Sequence, residues 1–454
     1  MSASEPLEPP EASADEHEAP VTEPIVHEAP ATQPVEHEAS AGSPEAQVPA
    51  TSPRPEEAAA LPEPEVAATS PQPETAAAPP SAEPPAVPPV VEVSDLDWGA
   101  VRAAVDAASV RERMRATVEA MEALLDDAQG PGLLFDADRA HADDRVIKVS
   151  AIEPGAPHWI VGDLHGDLLA LEAALALVRA HGAARPGAGA PRLILLGDLI
   201  DDGGFGLELL LRVFELILEA PGRVCLIAGN HDEALSWGGG RFASSVSPSD
   251  FSDFLNANLA HEWIERAGKL AVRLAARSPR ALFMPDGLLV THGGFPLSDL
   301  HAKLAETGDW NDAACLNDFT WARAHPKARK KLPNRFSRAS QFGYEDFAEF
   351  CALSARLGRP VARMVRGHDH VEERFAFYPA YAAHPVLTTV ALSRRLEREQ
   401  FGARERAPVA ALLVPGGLPQ VHRLMIPPEL VREVYPEPGD AQAAAAASPH
   451  AATP

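Results

Sequence analysis

The chain has 454 residues, enough for two or three domains, but its composition is uneven. Residues 1–95 hold 19 of the 65 acidic residues and 21 of the 45 prolines, with one basic residue, Arg54, and no aromatic residue. Such a segment cannot bury enough apolar surface to offset its ordering entropy, so we expect residues 1–94 to be a disordered acidic tail. The other residues include 46 acidic and 38 basic ones, which argues against a general nucleic-acid-binding protein.

The sequence carries no signal of secretion or membrane insertion. Its three cysteines, Cys225, Cys315 and Cys351, are odd in number and far apart, which is typical of proteins from a reducing compartment. The first residues lack the basic start and apolar stretch of a signal peptide, and no uncharged apolar run reaches membrane-spanning length. We therefore expect a cytoplasmic protein with no membrane partner.

Inside the tail, His-Glu-Ala recurs every ten residues, at 17–19, 27–29 and 37–39. This repeat is typical of a low-complexity spacer, although weak metal binding and docking of a partner are alternatives. Residues 95–144 follow as a helical segment. Their apolar residues recur at steps of three and four up to residue 127, which predicts one amphipathic helix or a pair that packs on the next domain.

From about Val146, short apolar strands alternate with helical stretches, which predicts a mixed α/β domain over residues 145–426. Polar runs follow several of these strands: GDLHGD at 162–167, GDLIDDGG at 197–204, GNHD at 229–232, HGG at 292–294 and RGHDH at 366–370. After residue 426 the chain is again rich in proline and alanine, so we expect residues 427–454 to form a second disordered tail.

The first polar run has two interpretations when taken alone. Asp163 and His165 could converge on a divalent metal ion, or they could complete a turn while Asp167 caps the following helix. Taken together, the runs favour the metal site. They supply seven oxygen and nitrogen ligands without a thiolate, which suits two ions of Mn, Fe or Zn better than one structural zinc. These candidates are Asp163, His165, Asp198, Asn230, His292, His368 and His370.

In combination the runs resemble the motifs of the calcineurin-like metallophosphoesterases, most closely those of bacterial phosphoprotein phosphatases specific for serine and threonine. The resemblance spans about residues 145–425. It implies an α/β fold of four layers, in which two packed mixed β-sheets are flanked by helices. It also implies two divalent metal ions, with Mn expected first and Fe or Zn as alternatives. The implied substrate is a phosphorylated protein or a small phosphoester.

The resemblance also implies a role for each matching residue. His231 would be the general acid, Asp201 would orient it, and a hydroxide shared by the metals would attack phosphorus in line. Asp198 would bridge the two ions. The first ion would be held by Asp163, His165 and Asp198, and the second by Asp198, Asn230, His292 and His368.

The chain departs from the phosphoprotein phosphatases at two positions. Asp202 stands where they have an arginine, so a phosphate clamp is lost and a repelling charge is added. His370 has no counterpart in them, but the broader family has a histidine there on the first metal. We expect His370 to bind that metal, the alternative being a histidine without a ligand role.

A basic cluster near residues 323–338 has two interpretations, a solvated loop or a surface that attracts an anionic substrate. Within it, Arg335 or Arg338 resembles the family's other phosphate-binding arginine, and Arg323 is a weaker candidate for substrate binding.

Three functions remain open from the sequence. The leading one is a serine/threonine protein phosphatase. A hydrolase of nucleotides or dinucleoside polyphosphates is the first alternative, because Asp202 and Asp232 depart from the phosphoprotein pattern. The second is a non-catalytic scaffold that binds partners through its acidic tail, although a decayed site would be expected to lose some ligands.

Overall fold

The computed structural model describes residues 87–128, 130–329, 340–400 and 402–436. The described residues all belong to one compact unit. The repeat of the N-terminal tail, most of the C-terminal tail, and both Arg335 and Arg338 lie outside them.

The strands of the described residues are short, from two to five residues each. In chain order they are β1 (Val90–Val93), β2 (Val146–Lys148), β3 (His158–Val161), β4 (Arg192–Leu195), β5 (Val224–Leu226), β6 (Leu235–Gly238), β7 (Arg241–Ser244), β8 (Ala281–Phe283), β9 (Leu288–Thr291), β10 (Arg323–Ala324), β11 (Gln341–Phe342), β12 (Arg363–Arg366), β13 (Phe375–Phe377), β14 (Val386–Thr389), β15 (Val409–Leu412) and β16 (Gln420–Leu424).

Helices of five to sixteen residues lie between the strands. In chain order they are α1 (Trp98–Ser109), α2 (Met114–Asp126), α3 (Leu168–Ala183), α4 (Gly206–Glu219), α5 (Asn230–Ala234), α6 (Asp250–Ala257), α7 (Glu262–Arg277), α8 (His301–Thr307), α9 (Ala313–Trp321), α10 (Tyr344–Arg356) and α11 (Pro428–Val434). None of these described helices is both long enough and apolar enough to cross a bilayer.

Twelve of the strands form two six-stranded sheets. The first has the order β1-β16-β15-β3-β4-β5, and its β3, β4 and β5 run parallel. The second has the order β13-β14-β12-β9-β8-β2, and its β9, β12 and β14 run parallel. Both sheets also contain antiparallel pairs, such as β3 with β15 and β8 with β9, so both are mixed.

The side chains of the central strands alternate between two cores, because successive residues of a strand point to opposite faces. On β3, Trp159 and Val161 pack in a cluster that also contains apolar residues of α1 to α4, whereas Ile160 packs in a cluster between the sheets. On β9, Val290 packs between the sheets and Leu289 packs toward the helices of the other side. The result is the predicted four-layer fold, helices on sheet on sheet on helices, which is confirmed.

Each of the two predicted tails includes residues that the structure places in the fold. Within the stretch predicted as the N-terminal tail, Val90–Val93 forms β1, which pairs with β16 in parallel, and Val93 is buried. Within the stretch predicted as the C-terminal tail, Leu430 and Val431 of α11 are buried in the core that also contains α1 and α2. The local composition could not show these contacts, because the partner residues are distant in sequence.

Candidate metal centre

The seven predicted ligands follow the carboxyl ends of strands β3, β4, β5, β9 and β12. The backbone at this edge of the fold is unusual. Among the described residues, five of the seven non-glycine residues with positive φ are at this edge, namely His165, Asp198, Asp201, Asp202 and His368. Such conformations cost free energy and persist where the surrounding structure enforces them, which is frequent at functional sites.

One group consists of Asp163, His165 and His370, whose ligand atoms lie within 4.8 Å of one another. Nδ1 of His165 lies 2.9 Å from the carbonyl oxygen of Ile200, which leaves Nε2 to face the group. Nε2 of His370 lies 3.3 Å from Oδ2 of Asp163. Because a carbonyl oxygen holds Nδ1 of His165, the ring has the fixed orientation that is typical of a metal ligand.

A second group consists of Asp198, His292 and His368, again within 4.8 Å. Nδ1 of His292 lies 2.8 Å from the carbonyl oxygen of Leu196, and its Nε2 lies 3.4 Å from Oδ2 of Asp198 and 3.2 Å from Nδ1 of His368. Asn230 joins this group, because its Oδ1 lies 3.1 Å from the same Nε2. The structure thus brings together all seven predicted ligands.

Asp198 lies between the two groups, since its Oδ2 is also 3.5 Å from Nε2 of His165. Two glycines leave room for the carboxylates. A Cβ on Gly229 would lie 2.2 Å from Oδ1 of Asp198, and a Cβ on Gly367 would lie 2.1 Å from Oδ1 of Asp163. This donor set, with nitrogen and oxygen ligands that converge and no thiolate, fits two divalent cations that share Asp198.

His231 lies beside the cluster and is paired with an acid. Its Nδ1 lies 2.8 Å from Oδ2 of Asp201, whose Oδ1 accepts a hydrogen bond from the backbone N–H of Phe251 at 3.0 Å. The rings of His231 and His165 are 4.8 Å apart, and His231 forms a third potential ligand group with His165 and Asp198. Asp201 therefore fixes the orientation of the His231 ring, with Nε2 toward the cluster.

The charges of the site follow from its burial and its mixture of acids and histidines. Burial lowers the pKa of His165 and of His368 well below its usual value, so both are neutral and able to bind a cation. Burial would raise the pKa of Asp198, but His292 and His231 hold it well below its usual value. For His231, burial lowers the pKa, but Asp198 and Asp201 more than offset this and raise it.

The sequence analysis missed the structural role of Asp232, which it counted as a departure in substrate specificity. The buried carboxylate accepts hydrogen bonds from the backbone N–H groups of Asp198, Leu199 and Gly229, at 2.7, 3.0 and 2.9 Å. Asp232 thus holds the loop that carries Asp198. Its place three residues after the N-cap of α5, Gly229, was the available signal, since acids there bind free N–H groups.

The sequence analysis also missed Arg398, which lies in an irregular segment after β14. Its Nη2 lies 2.8 Å from Oδ2 of Asp202 and 3.1 Å from Nε2 of His165. Together with His370 and the predicted substrate residue Arg323, it lines a cavity of about 420 Å³. No motif marks Arg398, so no local pattern could have identified it.

Arg323 reaches the same cavity, but its guanidinium is bound to the protein. Nη1 donates to the carbonyl oxygen of His368 at 3.0 Å and lies 2.8 Å from Oδ1 of Asp369. Arg323 therefore lines the cavity, as expected of a substrate-binding residue, but its guanidinium is already paired with Asp369.

Comparison with known proteins agrees with this arrangement. A four-layer α/β fold with carboxylates and histidines gathered at its strand ends is the fold of the metallophosphoesterases. Residues 156–372 match the family model described as calcineurin-like phosphoesterase, in agreement with the resemblance found in the sequence.

Among curated proteins, the chain is 25% identical over 240 residues to the serine/threonine-protein phosphatase C23G10.1 of Caenorhabditis elegans. The match covers 51% of this chain and 47% of that protein, so the chain spans about half the length of this relative.

Two solved structures are similar at lower levels. One is a protein serine/threonine phosphatase from Saccharomyces cerevisiae with similarity to human phosphatase PP5, at 16% identity, TM-score 0.44, and coverage of 72% of this chain and 90% of that one. The other is a cold-active protein-tyrosine phosphatase of a psychrophilic Shewanella species, at 16% identity, TM-score 0.36, and coverage of 63% and 81%.

Proposed function

We propose that the protein is a metal-dependent phosphomonoesterase that acts on phosphoserine or phosphothreonine in proteins. One observation carries the proposal: His231, with its pKa raised and Asp201 behind it, shares a ligand group with His165 and Asp198. A structural metal site needs no such acid. Cleavage of a phosphoester needs one, because the leaving oxygen must receive a proton.

The seven ligands that follow the five strands hold two divalent cations in this proposal, with Asp198 common to both. Mn is the expected metal, with Fe or Zn as alternatives. When bound, such a pair of ions activates water and polarises a phosphoryl oxygen.

The protein's own groups supply the remaining steps. His231 donates a proton from Nε2 to the leaving oxygen, while Asp201 holds the ring and stabilises its charged form. The cavity of about 420 Å³ beside His368 and His370 receives the phosphoryl group, and arginines on its wall attract the dianion.

The choice of a phosphoprotein substrate rests on the named activity of the Caenorhabditis elegans relative.

A specific observation favours the alternative of a nucleotide or dinucleoside polyphosphate. Next to Asp202 lies a second cavity of about 950 Å³, lined in part by Phe205, Tyr435 and arginines. Aromatic rings could stack with a base there while arginines bind further phosphates.

Phosphate release by the purified full-length protein with Mn²⁺ tests the proposal. A phosphothreonine peptide should be hydrolysed, and the His231→Ala variant should lose this activity. Hydrolysis of diadenosine tetraphosphate alone would move the function to nucleotides. No turnover of either substrate would favour the scaffold.

A cytoplasmic location and docking of partners by the acidic tail remain parts of the proposal. All three cysteines are free and buried, and burial raises the pKa of each thiol to about 12. Thiols in this state agree with a reducing compartment.

A further inference from the structure

Asp202 creates an electrostatic problem for any phosphoester substrate. Its side chain is only 3% exposed, and its Oδ2 lies 3.4 Å from Nδ1 of the predicted ligand His165. The backbone N–H groups of Asp202 and Gly203 donate to the carboxylate of Asp250 at 2.9 and 2.8 Å, which fixes the loop. A fixed carboxylate at this place repels a phosphate dianion unless a cation lies between them.

Arg398 is the cation that meets this requirement. Its Nη2 forms an ion pair with Oδ2 of Asp202 at 2.8 Å, and its side chain is 37% exposed, so Arg398 is paired with the acid and still accessible to solvent. Arg398 also lines both cavities, the one of about 420 Å³ beside His370 and the one of about 950 Å³ beside Asp202. It therefore lies at the boundary between the two spaces.

The contact of Arg398 with His165 occupies the nitrogen that a metal ion would need. Nη2 lies 3.1 Å from Nε2 of His165, the nitrogen that faces the proposed metal ligands. One nitrogen cannot bind a cation and accept from an arginine together, so loading of the site displaces the guanidinium. Arg398 then remains tethered to Asp202 and turns toward the cavity.

Two other arginines that line the smaller cavity are already paired with acids outside the loop of Asp202. Arg323 lies 2.8 Å from Oδ1 of Asp369, and Arg406 lies 3.3 Å from Oε1 of Glu372. The acid of Arg398, Asp202, instead belongs to the same loop as Asp201, so this ion pair keeps the guanidinium at the site.

We propose that Arg398 binds the phosphoryl group of the substrate and that Asp202 positions it there. Arg398 is a residue that determines substrate affinity, and Asp202 acts only through it. This inference rests on the proposed phosphoester hydrolysis and holds for either substrate class. At position 202, where the sequence predicted only a repelling charge, Asp202 thus helps substrate binding.

Binding of inorganic phosphate to the full-length, Mn²⁺-loaded protein tests this directly, by calorimetry and independently of turnover. Arg398→Ala should weaken phosphate binding roughly tenfold to a hundredfold, the range for a lost hydrogen bond between charged groups. Arg398→Lys should keep part of the affinity, because it retains the charge without the planar fork. Arg179→Ala is the matched control and should bind as the wild type does, since Arg179 is exposed on α3 and lines neither cavity.

A double-mutant cycle with Asp202→Asn tests the positioning role. If Asp202 holds Arg398, Asp202→Asn weakens phosphate binding in the wild-type background, whereas in Arg398→Ala it does not weaken binding, because only the repulsion by the carboxylate is then removed. If Asp202 only repels phosphate, the substitution strengthens binding by the same factor in both backgrounds, which would overturn its role. The Mn content of each variant is measured in parallel, and affinities are compared at saturating Mn²⁺.

The outcomes separate this inference from the proposed function. Phosphate binding that depends on Arg398, without hydrolysis of any phosphoester, would uphold the inference and reject the function. Hydrolysis by the wild type with unchanged phosphate affinity and KM in Arg398→Ala would uphold the function and reject the inference.

Discussion

Nδ1 of His231 lies 2.8 Å from Oδ2 of Asp201, and the two side chains are only 3% and 1% exposed. The backbone of Phe251 holds the other carboxylate oxygen. This pair is therefore oriented as a unit within the core of the protein. Its proposed task is proton donation, which makes its contribution dependent on the leaving group.

His231→Ala should lower kcat by roughly 10² to 10⁴ with a phosphothreonine peptide, the usual contribution of a positioned general acid. With p-nitrophenyl phosphate the loss should be smaller, because nitrophenolate leaves without a proton. Asp201→Asn should show the same pattern more weakly. Steady-state kinetics on both substrates measure this, with the exposed His141→Ala as control. Equal losses on the two substrates would contradict the role of an acid.

Removal of His370 tests the ligand that phosphoprotein phosphatases lack. His370→Ala should weaken binding of one of two Mn²⁺ ions by tenfold or more, because His370 shares a ligand group with Asp163 and His165. His368→Ala should weaken the other ion, since His368 groups with Asp198. Metal content after dialysis, with chelator competition, measures both affinities.

The exposed His261→Ala should retain both ions and serves as the control for these metal measurements. Two ions bound at wild-type affinity by His370→Ala would mean that this histidine has no ligand role.

His422 on β16 should make the protein less stable in mild acid. It is buried against Trp159, and burial lowers its pKa from 6.5 to about 4. Because the folded pKa is depressed, the unfolded chain binds the proton more readily. The stabilisation is present above pH 6.5 and is lost as the pH falls toward 4.

Between pH 7.5 and 5, the wild type should lose about 2 kcal/mol more of its unfolding free energy than His422→Gln. Urea unfolding of the metal-free protein at both pH values measures this difference, and His141→Gln is the control. Equal losses of unfolding free energy in wild type and His422→Gln would show that the pKa of His422 is the same in the folded and unfolded states.

The position of β1 predicts where the chain can be shortened. A protein that begins at Val87 keeps the strand, whereas one that begins at Asp95 loses the pairing of Val90 with Val421 and the buried Val93. Burial of Val93 alone contributes about 2 kcal/mol, so the shorter protein should melt several degrees lower. Thermal unfolding of the two truncated proteins compares them. Identical melting temperatures would show that β1 does not contribute to stability.

The sequence predicted the ligands of the site more completely than the limits of the domain. Asp163, Asp198 and His292 could be found because each follows a buried strand, and parallel strands bring their carboxyl ends to one edge. Their glycine neighbours were part of the same local motifs. The limits of the domain could not be found in this way, because β1 and α11 are stabilised by contacts with distant residues.

Short motifs at strand ends were enough to predict the class of fold and the candidate ligands, and the family resemblance added the pairing of His231 with Asp201. The role of Asp232 and the place of Arg398 became visible only in the folded protein. Asp232 binds backbone groups of another strand end, and Arg398 approaches Asp202 from 196 positions further along the chain. Contacts of this kind depend on how the layers pack, and no local pattern of residues records them.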